Sequence, residues 1–350
     1  MNCMRIDSRL IGPGKPTLVI AEIGVNHDGS VRKAIDLVKI AETCGADAVK
    51  LQIFHATSLM HASSTLAAYQ RIRNGDPHPI DMLKRYELST PDIRRVVKEV
   101  RDRGMIPLAT PFSPGDLEII EGMRLPAIKI ASPDLVNRPL LAAAARLRQP
   151  LLVSTGAADM GEVEMAVGWL REWGTVFSLL HCVSAYPTPP DQANLCWIGE
   201  LARKFDVPVG YSDHTAEIIV GSLATAAGAA VLERHLTYDR KAEGPDHAAS
   251  SDPAQFERYV KLVREADVLR GTPGKHVLEI EQDVRKVSRQ SLVARRTLQP
   301  GELLREEDLT VQRPGTGMPA SEITQAVGRK IVKVITAGAL LQWDMLAEAA

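Results

Sequence analysis

The sequence predicts an α/β fold in which a (β/α)8 TIM barrel is followed by a small β-rich domain. Three observations predict it. From Thr17 to about Arg270, eight apolar strand-like runs alternate with amphipathic helical stretches. Those runs are apolar almost without interruption, which means burial on both faces, as in a parallel sheet. Past Gly271-Thr-Pro-Gly274 the alternation stops. The expected organisation is a barrel over 1–270, a linker over 271–290 and a second domain over 291–350. A doubly wound open sheet is the rival, but it usually carries fewer strands, and no Gly-rich dinucleotide fingerprint follows the first run.

In chain order the expected strands are Leu18–Ile23, Ala48–Phe54, Ile106–Pro111, Ala127–Ser132, Leu151–Thr155, Val176–Cys182, Val207–Ser212 and Val231–Thr237. The helices between them are Val31–Thr43, Pro91–Arg103, Asp116–Gly122, Arg138–Leu147, Met160–Trp173, Cys196–Phe205 and Ala216–Ala227, with Pro253–Leu269 after the last strand. Ser30 and Thr90-Pro91 stand where helix starts need a cap or a first-turn proline, and Gly45, Gly104 and Gly174 follow helix ends. The insertion His55–Leu88 is long for a βα loop, and such loops in barrels often serve function. In the tail, Thr297-Leu-Gln-Pro-Gly301 through Leu309 echoes Val334-Ile-Thr-Ala-Gly338 through Leu346, which predicts internal pseudo-symmetry.

The 350 residues are 45% hydrophobic, 24% charged and only 4% aromatic, so aliphatic side chains must build an ordinary globular core. A formal charge of -1 offers no global attraction to nucleic acid or an anionic membrane, so any anion binding has to be local. Cys3, Cys44, Cys182 and Cys196 lack metal-ribbon or disulfide-framework spacing and fit reduced thiols. No signal pattern opens the chain, and the most apolar helical stretch, Ile218–Leu232, is too short to span a bilayer. A cytoplasmic protein is expected.

Catalytic groups of such barrels gather at the C-terminal ends of the strands. Those ends carry Glu22, Asn26, His27, Lys50, Gln52, Thr110, Lys129, Ser132, Asp134, Ser154, Ser184, Tyr186, Ser212, Asp213, His214, Glu233 and His235. His214 and His235 end consecutive strands, and Glu233 shares a face with His235. Two imidazoles make half of an open metal site of the kind Lewis-acid chemistry uses. Lys50 and Lys129 lie inside apolar strands, where each must neutralise, pair with a carboxylate such as Glu22 or Glu233, or meet an anion. Together with Thr110, Ser132, Ser154 and Ser212 they make a cationic, hydroxyl-rich cup suited to a phosphate or carboxylate. A Schiff-base lysine is the competing use. Tyr186 reads equally as a loop anchor or a substrate contact, His27 as a capping residue, and Asp246 is preferred over His247 as a polar reader of substrate.

Taken together, these motifs resemble the sialic acid synthase family, which includes N-acetylneuraminate synthases and spore-coat polysaccharide synthases. The resemblance runs through Ala21-Glu22-Ile-Gly-Val-Asn26-His27, Gly45-Ala-Asp-Ala-Val-Lys50-Leu-Gln52, Thr110-Pro-Phe and Lys129-Ile-Ala-Ser132. It continues through Leu152-Val-Ser154-Thr-Gly, His181-Cys-Val-Ser-Ala-Tyr186-Pro, Gly210-Tyr-Ser212-Asp-His214-Thr, Glu233-Arg-His235 and Gly244-Pro-Asp246-His. The tail, with Arg313-Pro-Gly-Thr-Gly, is similar to the family's antifreeze-like (SAF, β-clip) domain.

The resemblance implies a metal-dependent transferase that condenses phosphoenolpyruvate with an N-acylated hexose such as N-acetylmannosamine, forming a nine-carbon 2-keto sugar acid and releasing phosphate. His214 and His235 would hold Mn2+ (or Mg2+). Lys50, Thr110, Lys129, Ser132, Ser154 and Ser212 would bind phosphoenolpyruvate, and Gln52, Asn74, Tyr186 and Asp246 would contact the sugar, with Ser184 beside them. Glu22 and Asp134 would be acid/base groups, Glu22 steering the attacking water. Arg313 would reach the partner's sugar in a domain-swapped homodimer. Four departures stand out: Pro133 replaces the usual glycine, and Asp134, Ser184 and Val287 stand where Glu, Asn and an aromatic residue occur in some members. The alternatives are a related synthase acting on a sugar phosphate, which the C-terminal domain disfavours, and a non-catalytic sugar-binding paralogue, motivated by Pro133 and Val287.

Overall fold

The eight apolar runs pair with one another in sequence order, and the last returns to the first. A computed structural model describes residues 3–61, 64 and 78–348. Its barrel strands are β3 (Leu18–Gly24), β4 (Ala48–Ile53), β5 (Ile106–Pro111), β6 (Ile128–Ile130), β7 (Leu151–Ser154), β8 (Phe177–Cys182), β9 (Val209–Asp213) and β10 (Val231–His235). All neighbours are parallel, and β10 closes on β3. The chain divides into two units, Met1–Thr272 and Pro273–Ala350. No helix among the described residues is long and apolar enough to cross a membrane.

Strand periodicity explains why these sequences build both a core and a site. In β4, Val49, Leu51 and Ile53 face the surrounding helices, while Ala48, Lys50 and Gln52 alternate with them towards the barrel interior. The inward positions near strand starts are apolar: Leu18, Ile20, Ala48, Ile106, Leu108, Leu152, Leu180 and Val231 form one cluster. The inward positions near strand ends are polar. Each strand therefore changes character along its inner face, while the outer face stays mostly apolar and carries one buried charged pair, Asp213 on β9 with Arg234 on β10.

An N-terminal hairpin, β1 (Met4–Ile6) and β2 (Arg9–Ile11), was not expected from the sequence. Its Met4, Ile6 and Ile11 join the apolar inward cluster, so the hairpin packs at the end where the strands begin. Two expected elements are shorter than their patterns. β6 stops at Ile130 because the chain turns into a 3-10 helix, Ser132–Val136. The helix expected from Ala216 begins at Val220, because the Ala216 and Glu217 carbonyls are held by the Arg234 guanidinium.

The second unit contains a two-stranded antiparallel sheet, β11 (Ser291–Ala294) with β12 (Leu309–Gln312). Within the stretch read as a linker, Gln282–Ser288 is helical and belongs to this unit. The expected repeat appears in the backbone. Leu298 and Ile335 exchange both backbone hydrogen bonds, at 2.8 and 3.1 Å. Gly301 N donates to Ile331 O as Gly338 N donates to Ala294 O, each at 2.8 Å. Both repeats carry a glycine at positive φ, +99° at Gly301 and +82° at Gly338, and a 3-10 turn follows each, Glu306–Asp308 and Trp343–Met345.

Behind β3 the chain buries a polar turn. Asn26 donates to Leu236 O at 2.9 Å and to Ser250 Oγ at 2.8 Å, and His27 Nδ1 accepts from Gly29 N at 3.1 Å. Burial drives the His27 imidazole down to about 4, against the pull of Asp28. The unfolded chain therefore binds this proton at a higher pH than the folded one, so stability rises with pH between about 4 and the ordinary value near 6.5. Folding stability should be about 2 kcal/mol lower at pH 5 than at pH 7 from this residue alone. Denaturant titrations of wild type and His27→Gln at both values check it; equal pH slopes in the two proteins would refute it.

Candidate active site

The polar strand ends line a cavity of about 530 Å3. Its floor is a chain of charges (Glu22 from β3, Lys50 from β4, Glu233 from β10, Lys129 from β6) that inward strand positions bring together. Lys50 Nζ is ion-paired with Glu22, stands 3.7 Å from Glu233 Oε1 and donates to Thr110 Oγ1 at 2.9 Å. Lys129 Nζ lies 3.8 Å from Glu233 Oε2 and donates to Ile130 O at 3.0 Å. Ser212 Oγ donates to Glu233 Oε1 at 3.2 Å.

Both readings of the buried lysines therefore hold at once: they pair with internal carboxylates and they line the cavity. The cup is less cationic than two lysines suggest, since two ammoniums and two carboxylates sum to zero. Burial, reinforced by Glu233, lifts the Glu22 carboxyl above its usual range, with Lys50 pulling back. Burial works the same way on Glu233, but Lys129 and Lys50 outweigh it and bring it to about 2. Burial alone would lower Lys50, yet Glu22 and Glu233 hold it above the ordinary lysine value. Lys129 falls below it, because burial and Lys50 outweigh Glu233.

Above the floor stand the hydroxyls. Ser154 Oγ is buried and has no hydrogen-bond partner within the protein, which suits a ligand atom. Ser132 Oγ accepts from Gly156 N at 3.0 Å. A Cβ at Gly156 would lie 2.4 Å from Ser184 Oγ and 2.8 Å from Ser132 Oγ, so only glycine lets these hydroxyls crowd the loop after β7. Pro133 occupies the second position of its 3-10 helix, where a backbone N–H has no partner within the helix. The substitution is therefore tolerated locally, though it removes one donor from the cavity wall. Asp134, on that wall, accepts from Asn137 Nδ2 at 2.9 Å, and burial raises its carboxyl above the usual range.

The two histidines meet on the β9–β10 side, with ring centroids 5.7 Å apart. His214 Nδ1 lies 2.9 Å from Val183 O; a carbonyl can only accept, so Nδ1 carries the proton and Nε2 keeps its lone pair. Tyr186 covers His214 at 4.1 Å between ring centroids. His235 Nδ1 lies 3.6 Å from Asp246 Oδ2, and burial lowers its imidazole to about 4, against the pull of Asp246. Burial thus holds the His235 ring neutral, whereas at His214 burial is outweighed by the pull of Cys182, the Val183 carbonyl and Glu233, which raises the imidazole, so that ring offers Nε2 to a ligand once it gives up its second proton. An ion about 2 Å from a ring nitrogen sits about 3 Å from that ring's centre, so rings at this separation can share one ion. Among the described residues no group of three or more His, Cys, Asp or Glu forms a metal cage, so a shared ion would draw its other ligands from water or substrate.

The expected residues are placed as follows. Lys50, Gln52, Thr110, Lys129, Ser132, Asp134, Ser154, Ser184, Tyr186, Ser212, His214, His235 and Asp246 all line this one cavity. Glu22 is fully enclosed behind Lys50 and is not part of the lining, while Gln52 Nε2 reaches Glu22 Oε1 at 3.4 Å. Asn74 lies outside the described residues. Arg313 belongs to the second unit, where it is exposed, as is Val287. His247 is buried between Thr237 Oγ1 at 2.6 Å and Asp28 Oδ1 at 2.9 Å, a structural role. Sequence reasoning named Glu233 only as a strand-end group and a candidate partner for a buried lysine, which it is, and missed the apolar wall of Phe54, Leu59, Met60, Met82, Leu83 and Phe112. Glu233's shared face with His235 was the available signal. A larger cavity of about 670 Å3, behind Cys182–Ala185, is lined by no lysine, so the charged chemistry belongs to the smaller one.

Residues 37–275 match the NeuB family, and residues 289–347 match the SAF domain. The chain belongs to the NeuB family. The family match runs from within the first helix through β10 and the helix Pro253–Arg270, so it contains nearly every residue of the cavity. The N,N'-diacetyllegionaminic acid synthase of Legionella pneumophila is 37% identical over 341 residues, 95% of each chain. The N-acetylneuraminate-9-phosphate synthase of Homo sapiens is 30% identical over 329 residues, 93% of this chain and 92% of that one. Among solved structures, the putative spore coat polysaccharide biosynthesis protein E of Chromobacterium violaceum superposes with a TM-score of 0.82 at 26% identity, covering 95% of this chain and 100% of that one. This NeuB-family chain is thus a sialic-acid-type synthase relative along its whole described length, barrel and SAF domain together.

Proposed function

We propose that the protein joins phosphoenolpyruvate to the open-chain form of an N-acylated hexose, yielding a nine-carbon 2-keto sugar acid and inorganic phosphate. The observation that carries this reading is the cavity floor: two buried lysines and a Ser154 hydroxyl with no hydrogen-bond partner among the described residues, beside two facing imidazoles. Lys50, Lys129, Thr110, Ser132, Ser154 and Ser212 would hold the carboxylate and phosphate of phosphoenolpyruvate. His214 and His235 would hold Mn2+ or Mg2+, with Asp246 orienting His235 from behind. When bound, such an ion supplies Lewis-acid polarisation of an aldehyde oxygen.

The rest is work for the side chains. Tyr186, Asp246 and Gln52 would orient the sugar so that its aldehyde carbon faces C3 of the enol. As the C3–C1 bond forms, the aldehyde oxygen gains a proton, which Asp134, with its raised carboxyl, is suited to give. The enol carbon C2 becomes an oxocarbenium, and water adds there. Glu22, joined to the cavity through Lys50, would take the water's proton before the C2–O bond breaks and phosphate leaves. Glu233, kept ionised by both lysines, would hold the ammoniums at the spacing the anion needs.

The wall of Phe54, Leu59, Met60, Met82 and Phe112 suits a hydroxyl-poor sugar carrying acyl methyl groups. Among the described lining residues the lysines and arginines are Lys50 and Lys129 alone, which leaves none for the phosphate of a sugar phosphate. The Legionella relative's name, with two acetyl groups on its product, agrees with a doubly N-acylated hexose. Phosphate release from phosphoenolpyruvate, measured with a diacetamido hexose, N-acetylmannosamine and its 6-phosphate, tests the choice. The diacetamido sugar should be fastest, activity should vanish on chelation, and Mn2+ should restore it. A protein that binds phosphoenolpyruvate yet releases no phosphate with any of the three would sink the catalytic reading.

One smaller prediction arises here. Gly156→Ala should raise the KM for phosphoenolpyruvate about tenfold by pushing the Ser132 and Ser184 hydroxyls off their positions, while the melting temperature barely moves. Steady-state kinetics with phosphoenolpyruvate varied at saturating sugar give the answer, and an unchanged KM would count against the hydroxyl ring.

A further inference from the structure

The two imidazoles are each preceded in the chain by a charged residue that points the other way. Ser212 and His214, and Glu233 and His235, line the cavity, so by strand alternation Asp213 and Arg234 face outward, and they are paired Cα positions in the β9–β10 ladder. Arg234 Nη1 meets Asp213 Oδ2 at 2.8 Å, with side chains 4% and 0% exposed. The pair is tied to the backbone just after His214 and, through Ser251, to the carbonyl of His235. Asp213 Oδ1 accepts from Thr215 N at 2.9 Å and from Thr215 Oγ1 at 2.7 Å, which ties down the residue after His214. Arg234 Nε donates to Ser251 Oγ at 2.6 Å, and Ser251 N donates to His235 O at 2.9 Å. The Tyr259 ring covers the guanidinium, 4.8 Å from centroid to Cζ.

A buried ion pair is a poor way to gain stability, since desolvation consumes most of the attraction and apolar residues of similar size often serve as well. What a forked guanidinium adds is fixed geometry at several points. We infer that the Asp213–Arg234 pair is a positioning device that sets the spacing of His214 and His235 for one shared divalent ion. This rests on the metal reading above.

Binding of Mn2+ alone, without substrates, separates the possibilities when followed by the loss of the free-ion EPR signal. The proteins are wild type, the double variant Asp213→Leu/Arg234→Met, and Arg234→Lys, with melting temperature measured on each. The double variant removes both charges together, so it should fold and melt near wild type, yet bind Mn2+ at least tenfold more weakly. Arg234→Lys keeps the charge without the fork and should fall between. A folded double variant with wild-type Mn2+ affinity overturns the inference, whatever its melting temperature. If the double variant does not fold, Arg234→Lys decides alone: wild-type affinity overturns the inference, weaker affinity at an unchanged melting temperature supports it. A wild type that binds no Mn2+ overturns the metal reading itself and this inference with it.

Discussion

Lys129→Met should lower kcat/KM for phosphoenolpyruvate by about a thousandfold while the protein stays folded. The lysine contributes charge and hydrogen bonding to the floor, and losing two charge-assisted contacts costs about 4 kcal/mol. The charge count enlarges the effect. Two ammoniums and two carboxylates balance in the wild-type floor, and losing Lys129 leaves it with an excess carboxylate that repels the anion. Glu233 keeps Lys50 at 3.7 Å and Ser212 at 3.2 Å, so no carboxylate is left stranded and stability should change little. Circular dichroism establishes folding, and phosphate release gives the rate. A variant within tenfold of wild type would show that the anion does not rest on Lys129.

His214→Ala should eliminate Mn2+-dependent turnover, by at least a thousandfold, because a single remaining imidazole cannot retain the ion. Wild type stripped with a chelator should lose activity and regain it on adding Mn2+, whereas the stripped variant should not recover. The substitution is mild for the fold. It removes a contact to Val183 O and a ring beneath Tyr186, both at the cavity rather than in the apolar layers. Full recovery of the stripped and refilled variant would end the case for His214 as a metal ligand.

The barrel was legible because strand and helix periods differ so sharply. Val31–Thr43, Ile106–Pro111 and Cys196–Phe205 have the same bounds in sequence pattern and structure. Both histidines were found because each ends an apolar run. The three-residue strands of the hairpin were not legible, since three residues cannot display alternation, and Pro13 and Pro16 read as interruptions. Glu233's place at the centre of the floor depends on which strands are neighbours, and the closure of β10 on β3 is a property of the ladder. The apolar wall stayed hidden because Leu59, Met60, Met82 and Leu83 come from two short helices within the insertion, Ala56–Leu59 (with Met60 at its end) and Pro79–Lys84, too short to display a period. Glu22 was read both as a lysine's partner and as an acid/base group; which of these a strand-end carboxylate meets is decided by the next strand's register, where Glu22 is paired with Lys50.

The paired halves of the second unit carry a consequence for how it comes apart. Leu298 and Ile335 complete each other's hydrogen bonding, and Gly301 and Gly338 donate each into the opposite half. The buried side chains follow suit, with Leu304 and Leu341, and Leu309 and Leu346, meeting in a single cluster. Apart from the β11–β12 ladder in the first half, the pairing runs between the halves. Fraying of the second half therefore strips the first of hydrogen bonds and core partners, so the two loosen together.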